Sequence, residues 1–557
     1  MLSLLAMLAA LAAPSFSTFE AEDAPTTGRV VRLIGLPKPN EINPEIEASG
    51  RGYVELTQTG QSVEFVLAGP AEGLVIRHCI PDAPAGGGQS ATLGLYVNGQ
   101  RRQTLTLSSR YNWLYGEGKP AENGQSNTPS AWPHVFWDET AYRLNTPLKA
   151  GDKLALRRDT EDNAAYYRID LVEPEAFGPA LAQPAGSLSI TDFGANGKDA
   201  EADTKALESC VIQAKAEGKT VWLPAGTWLN LRRVTLDGVK VEGAGMWHTK
   251  LLLTAPAVKG PFGGNGGFSL KGNAPQVRDL TIEAVDCTSR ADTASAFIGL
   301  ANDYVVERVW MTHVHCGFWI AGQRGTIRDC RVRQTYADGI NVNNGKNLLT
   351  TDTLVAGCHV RGTGDDGIAV LSNASSPSLT ERVTVVLNTV VAPWWGHGCD
   401  IAGGRGHLVE RNTFADGYMP PFTVNLPGSY PMHPLADTVV RGNRILRGGS
   451  NFAGQRRGAV WLYPGSTTIS NLTLADNTIS GALFRGIHFT GGYSQTVLVR
   501  RNRIQAPGQE AIHIDAKAVG TATLEANEVT GLPAGAKLVG NDSQTFTVTQ
   551  TQSAAGH

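Results

Sequence analysis

A short segment that recurs through the C-terminal two thirds of this chain limits its architecture more than any other feature. It appears as Glu307-Arg308-Val309, Asp329-Cys330-Arg331-Val332, Gly357-Cys358-His359-Val360, Leu387-Asn388-Thr389-Val390 and Arg411-Asn412-Thr413-Phe414. It returns as Gly442-Asn443-Arg444-Ile445, Asp476-Asn477-Thr478-Ile479, Arg501-Asn502-Arg503-Ile504 and Ala526-Asn527-Glu528-Val529, at spacings of roughly 22 to 34 residues. A second short strand follows each, often opened by glycine: Gly339-Ile340-Asn341-Val342, Gly367-Ile368-Ala369-Val370, Gly398-Cys399-Asp400-Ile401, Gly486-Ile487-His488-Phe489. One such unit cannot bury its apolar face alone, whereas stacked copies share a continuous core. Helical text between the strands, which an α/β fold would need, is missing. The spacing predicts a parallel β-helix over residues 188–542 and a tail over 543–557.

The repeat also predicts a register. Side chains alternate along a strand, so Ile368 and Val370 face inward and Ala369 outward. The residue before each glycine then marks a column: Asp338, Asp366, His397, Arg457, Arg485. With rungs about 4.8 Å apart, Asp338 and Asp366 become stacked neighbours, Asp365 lies beside them and His397 follows. Asn341 and Asp400, outward in the next position, join the same patch. Three carboxylates at one spot repel one another, and a fold tolerates them where they hold a cation or share protons. Gly364-Asp365-Asp366-Gly367 alone reads equally well as a solvated turn; the stacking with Asp338 favours a site. His397 either tunes the acids or binds a ligand hydroxyl, and a solvated turn histidine is the plain alternative. Trp394, Trp395 and Tyr336 flank the acids as stacking faces or as packing.

Ahead of the repeat, residues 18–175 read as alternating short strands, with Asn98-Gly99 a hairpin turn, predicting an antiparallel β-sandwich. Tyr111-Asn112-Trp113-Leu114-Tyr115 offers aromatic faces or core. A Pro/Ala/Gly-rich linker covers 176–187. A helix with a candidate N-cap at Asp203 and apolar Ala206, Leu207, Cys210, Val211 and Ala214 follows, suited to covering the open end of a coil. Leu2 to Ala13 has the length of a signal-peptide apolar core, with cleavage contexts that end residues 1–17, so secretion (extracellular or periplasmic) is expected. The seven cysteines have no CxxC spacing and read as buried thiols. Net charge is -3 without a basic run, which leaves no footprint for nucleic acid. No later apolar stretch is long enough for a membrane span. A monomer is expected.

The helix followed by Val221-Trp222-Leu223-Pro224-Ala225-Gly226 resembles the entrance of the pectate-lyase-like superfamily, which implies a right-handed parallel β-helix. Tyr336-Ala337-Asp338-Gly339-Ile340-Asn341, then Arg361-Gly362-Thr363-Gly364-Asp365-Asp366-Gly367-Ile368-Ala369, resembles glycoside hydrolase family 87, the mycodextranases and α-1,3-glucanases. The layout of one Asp and then a pair is similar to family 28 polygalacturonases and family 49 dextranases. The resemblance implies inverting acid–base hydrolysis of a neutral α-glucan, α-1,3-linked or mixed α-1,3/1,4, by Asp338, Asp365 and Asp366, without a catalytic cofactor. By analogy with polygalacturonases, Asp365 would be the acid while Asp338 and Asp366 hold the water. His397, Asp400, Asn341, Trp394, Trp395 and Tyr336 are the candidate substrate-binding residues.

Trp394-Trp395-Gly396-His397-Gly398 is closer to polygalacturonases, yet no Lys occurs between Lys346 and Lys517 to hold a uronate. Phe19-Glu20-Ala21-Glu22 and Tyr167-Arg168-Ile169-Asp170-Leu171-Val172 resemble the first and last strands of family 6 and 35 carbohydrate-binding modules, a jelly roll. That likeness implies a structural calcium at Glu20, Glu22 and Asp170, where solvated strand-end carboxylates are the alternative. Two other classes stay open: a polysaccharide lyase with calcium on the aspartates and Arg361 or Arg405 as base, and a non-catalytic polysaccharide-binding adhesin.

Overall fold

The computed structural model describes residues 15–37, 43–115, 127, 133–135, 137–254, 266–289, 294–345, 349–451 and 454–551. The signal segment expected over 1–17 falls almost wholly outside them. The chain divides into two compact units at Ala180/Leu181, inside the segment read as a linker, with Thr288–Ser289 belonging to the first. The expectation of an all-β protein with parallel sheets holds.

The first unit carries two larger antiparallel sheets and a two-stranded one, Trp113–Tyr115 with Pro133–Val135. One of the larger sheets orders its strands Asp138–Leu148, Ala71–Cys79, Tyr167–Glu175, Gly52–Leu56, Arg29–Arg32; the other Ser62–Val66, Lys153–Arg157, Ser90–Val97, Gln100–Ser108. Alternate residues such as Val54, Leu56, Val63, Phe65, Leu74, Ile76, Leu93, Leu95, Leu154, Leu156 and Ile169 form its core, as a sheet with one buried face requires. Asn98 and Gly99 turn the hairpin with φ of 51° and 77°, the left-handed pair that a two-residue turn between right-twisted strands needs.

The second unit opens with the helix Ala200–Glu217. Its N-cap is Asp199, whose side chain accepts from the Glu201 and Ala202 amides at 3.0 and 3.2 Å, four residues before the predicted Asp203. Asp203 is instead spent on the loops, accepting from the amides of Asn196, Gly197 and Leu229. The predicted apolar stripe is buried as expected.

Parallel ladders make up the rest. One column runs Arg331–Thr335, His359–Thr363, Thr389–Val391, Thr413–Ala415, Arg444–Leu446, Thr478–Ser480, Arg503–Gln505, Glu528–Thr530. A second runs Leu354–Ala356, Thr384–Val386, Leu408–Glu410, Val439–Arg441 and onward. Between these columns lies the repeated dipeptide found in the sequence. Its first residue is left-handed at every rung: Leu387, Arg411, Gly442, Asp476, Arg501 and Ala526 have φ between 49° and 65°. Its second residue points inward. Asn388, Asn412, Asn443, Asn477, Asn502 and Asn527 form a ladder, each Nδ2 donating to the next Oδ1 at 2.9–3.0 Å. Cys330 and Cys358 hold the same place on the two rungs before it. All seven cysteines are buried.

The coil does not stop at 542. Phe546–Thr551 pairs in parallel with Val519–Glu525, so much of the expected tail is a further strand. No helix of the described residues is long and apolar enough to cross a membrane.

Candidate active site

A separate sheet of twelve parallel strands carries the acids. Its successive strands Ile340–Asn343, Ile368–Leu371, Cys399–Ala402, Phe422–Leu426 and Val460–Pro464 pair Ile340 with Ile368, Ile368 with Cys399, Cys399 with Phe422 and Phe422 with Val460. Just before the strands, the Gly339 amide donates to the Asp366 carbonyl at 2.9 Å and the Gly367 amide to that of His397 at 2.8 Å. Asp338, Asp366 and His397 are therefore stacked in the predicted register. The glycines are required here: a Cβ on Gly339 or Gly367 would lie 2.6 or 2.7 Å from the next rung's carbonyl oxygen. Below His397 the predicted column is interrupted and then resumes at Arg485. Pro420 comes next, and Gly458 rather than Arg457 follows it in register, because the strand Phe422–Leu426 opens on Pro420-Pro421 and lacks the glycine signal.

Each turn that presents an acid is braced by a threonine. Thr335 and Thr363, paired in register, donate to the carbonyls of Ala337 and Asp365 at 2.6 and 2.8 Å. One oxygen from each of Asp338, Asp365 and Asp366 lies within 4.8 Å of the others, and Asp366, His397 and Asp400 form a second such group. Asp338 Oδ2 accepts from Asn341 Nδ2 at 3.0 Å, and Asn343 Nδ2 donates to Asn341 Oδ1 at 2.9 Å. Asp366 Oδ1 accepts from the His397 amide at 2.8 Å and lies 2.9 Å from its Nδ1. Asp400 Oδ1 accepts from the Asn425 amide at 3.2 Å. Of the acids, Asp365 alone is not buried.

Burial pushes the Asp366 carboxyl above the usual range, while its hydrogen bond to His397 pulls the other way. Burial, and next the charge of Asp366, pushes Asp400 well above it. Burial and mutual repulsion thus favour the protonated forms of these two carboxyls more than in an isolated one, most of all at Asp400. The half-exposed Tyr430 feels the same field: partial burial and then Asp366, Asp400, Asp365 and Asp338 raise its phenol.

The aromatic expectations divide. Trp394 is 1% exposed and donates its indole N–H to the Thr335 carbonyl at 3.3 Å, and Tyr336 is fully buried, so both are core rather than sugar platforms. Trp395 is half-buried and stacks on Tyr418 at 6.3 Å. Sequence reasoning missed Trp461 and Tyr463, stacked at 5.1 Å and 12° on the outward face that carries Asp400. Arg457 lies over Trp461 at 4.3 Å, and His397 is 6.0 Å from it. The alternation Trp461-Leu462-Tyr463 was their available signal. The lyase bases are not free to act: Arg361 is buried and Arg405 pairs with Glu381 at 2.9 Å.

In the first unit, Glu20, Glu22 and Asp170 also bring oxygens within 4.8 Å of one another. Asp170 is fully buried beside Arg77, and Glu20 accepts from Ser49 Oγ at 2.6 Å. Burial, then Asp170 and Glu20, push Glu22 from 4.5 up to about 9. Oxygen donors crowded to that degree fit a hard cation. The aromatic segment nearby is locally tied: Trp113 Nε1 donates to the Ile80 carbonyl and Tyr115 Oη to Asp82.

Comparison with known proteins bears on both units. The family model "Alpha-1,3-glucanase catalytic domain D1" matches residues 14–177, and "Alpha-1,3-glucanase catalytic domain D2" matches 200–518. No curated protein sequence matches the chain. Among solved structures, the Agl-KA catalytic domain is 24% identical with a TM-score of 0.81, covering 97% of this chain and 98% of that one. The catalytic unit of a thermostable GH87 α-1,3-glucanase from Streptomyces thermodiastaticus strain HF3-3 is 25% identical with a TM-score of 0.80, covering 98% and 97%. An aspartate-to-alanine variant of a GH87 α-1,3-glucanase in complex with nigerose is 22% identical with a TM-score of 0.79, covering 97% and 98%. The two family models together span most of the sequence, including both the antiparallel sheets of the first unit and the strands that carry the aspartates: the chain belongs to the α-1,3-glucanase catalytic-domain family, glycoside hydrolase family 87, and is a glycoside hydrolase rather than a lyase or an adhesin.

Proposed function

We propose that this protein is a secreted enzyme that hydrolyses neutral α-1,3-glucan by acid–base catalysis with inversion, acting as a monomer. The observation that carries the reading is the convergence of Asp338, Asp365 and Asp366 on one outward face. Relatives support it. GH87 α-1,3-glucanases have been solved with nigerose or tetrasaccharides, in variants that lose one of two adjacent aspartates or a third one upstream. The stacked parallel ladders support reading the large unit as a right-handed β-helix, and the paired sheets support reading the small one as a jelly roll.

In this mechanism Asp365, the accessible acid, gives its proton to the leaving glycosidic oxygen. Asp338 and Asp366 hold a water and take its proton as the water attacks the anomeric carbon and the glycosidic bond breaks. The His397 amide donates to Asp366, and the ring in its Nδ1–H form adds a second donor, which keeps Asp366 an acceptor and suits a base. Trp395 and Tyr463, both half-buried, offer faces for flanking sugars, with Trp461 packed behind Tyr463. The nearest oxygens are closer than the about 6.5–9.5 Å usual between an inverting pair, so product stereochemistry is the sharp test. Proton NMR during cleavage of α-1,3-glucan is expected to show the β-anomer first. The α-anomer first would mean retention, and no reducing ends would overturn the activity.

Calcium at Glu20, Glu22 and Asp170 completes the proposal. Bound there, it would neutralise the three carboxylates and tie the first and last strands of the sandwich. Without it, Glu22 keeps its proton up to about pH 9, while the unfolded chain loses its own near 4.5. The folded state then binds more protons, and stability falls as pH rises between those values. Chelator is expected to lower the melting temperature more at pH 8 than at pH 5, and E22Q is expected to flatten that slope. An unchanged melting temperature at both pH values would refute the site.

A further inference from the structure

The outward column that carries Asn341 and Asp400 runs on through Thr423 and Trp461 to His488 and His513. These two histidines face each other from successive rungs, their rings 5.5 Å apart. They are only 4% and 6% exposed. Both aim Nε2 at a single oxygen, Asp515 Oδ1, at 2.9 and 3.2 Å. Asp515 directly follows the strand Ile512–Ile514 that carries His513, and is pinned there by its amide, which donates to the Phe489 carbonyl at 2.9 Å. The next position of the column is Gly540, where a Cβ would lie 2.9 Å from His513 Nδ1. Only glycine lets the ring lie as it does.

The charges around this group are unbalanced. Asp542 Oδ2 is 3.6 Å from His513 Nε2, and Glu510 Oε2 is 3.9 Å from its Nδ1. Arg485, 3.6 Å from Glu510, is the cation beside them. Three carboxylates thus meet one guanidinium around two imidazoles. Neutral imidazoles with a carboxylate are the donor set of zinc-type ions. Bonds of about 2.0–2.2 Å to one such ion put neighbouring ligand atoms about 3.3 Å apart in a tetrahedron, close to the two N···O distances here. Glu510 would back His513 from behind, as an outer carboxylate commonly does for a ligating histidine.

We propose that His488, His513 and Asp515 bind one divalent transition-metal ion of the zinc type, with Asp542 within reach as a fourth ligand, and that the ion clips the last rungs together. Neither the hydrolysis nor the calcium proposal requires it.

The test uses the full chain, stripped of metal and then supplied with excess calcium to fill all-oxygen sites. Cobalt(II) is titrated in, followed by its visible d–d absorption. Saturation at one ion per chain, bleaching by zinc(II) and a raised melting temperature are expected. D515N keeps the shape of the carboxylate, and H488Q/H513Q keeps polarity. Both are expected to lose the band and at least tenfold in affinity while cleaving α-1,3-glucan at the wild-type rate. If the double variant does not fold, as judged by circular dichroism, D515N alone decides. An absent band, or one of equal strength and affinity in wild type and D515N, would overturn the site.

Discussion

Asp365→Asn and Asp366→Asn are each expected to lower kcat on α-1,3-glucan by about 10²–10⁴-fold, the usual cost of removing a general acid or base, with melting temperatures kept or raised. Asparagine fills the same volume but cannot give or take the proton. Asp338→Asn is expected to behave alike, since its Oδ2 stands with Asp366 on the stack. The stability half of the result has a definite sign. Asp366 and Asp400 keep raised pKa values when folded, whereas the unfolded chain releases these protons near 3.8. The folded protein therefore binds more protons and loses stability as pH climbs above that value. An uncharged residue at 366 removes part of this loss, so its gain in melting temperature should grow with pH. Kinetics and thermal melts over a pH series measure both halves. Wild-type kcat in all three variants would mean that the cluster is only structural.

Asn443→Ala is expected to cost about 3–5 kcal/mol, among the largest effects a single residue has on folding. Its amide and Nδ2 donate to Asn477 Oδ1, and Nδ2 also donates to the Val409 carbonyl. Its own Oδ1 accepts from the amide and Nδ2 of Asn412. Alanine leaves donors and acceptors on two neighbouring rungs buried without water, each at about 1–3 kcal/mol. Asn527, half-buried at the last step of the ladder, has partners on one side only, so Asn527→Ala should cost much less. Denaturant unfolding of the two variants gives the comparison, and equal losses would refute the ladder's role.

The repeat made the stacked strands and the Asp338/Asp366 register legible because both follow from a period and from side-chain alternation. What a side chain does at the end of a strand was less legible. Trp394 and Tyr336 flank the acids in sequence yet turn into the core, since a residue in a turn follows no alternation rule. Trp461 and Tyr463 escaped notice because long connections separate their strand from the acids in sequence, although only the strand Phe422–Leu426 lies between Asp400 and Trp461 in the sheet. The Asn dipeptides were visible as a motif. Their ladder was not, because a hydrogen bond between rungs depends on the left-handed residue that precedes each Asn.

The stacking of the sheet that carries the aspartates has a consequence for how such an enzyme diversifies. Asp338, Asp365, Asp366, His397 and Asp400 all come from three consecutive rungs, and each rung rests only on the ones above and below it. A complete rung added or deleted beyond Phe422 would slide Tyr463, and whatever sugar rests on it, along the axis while leaving every acid where it stands. Chain length recognised and bond-breaking chemistry are thus separately heritable in this scaffold, one by counting coils and the other by point substitution.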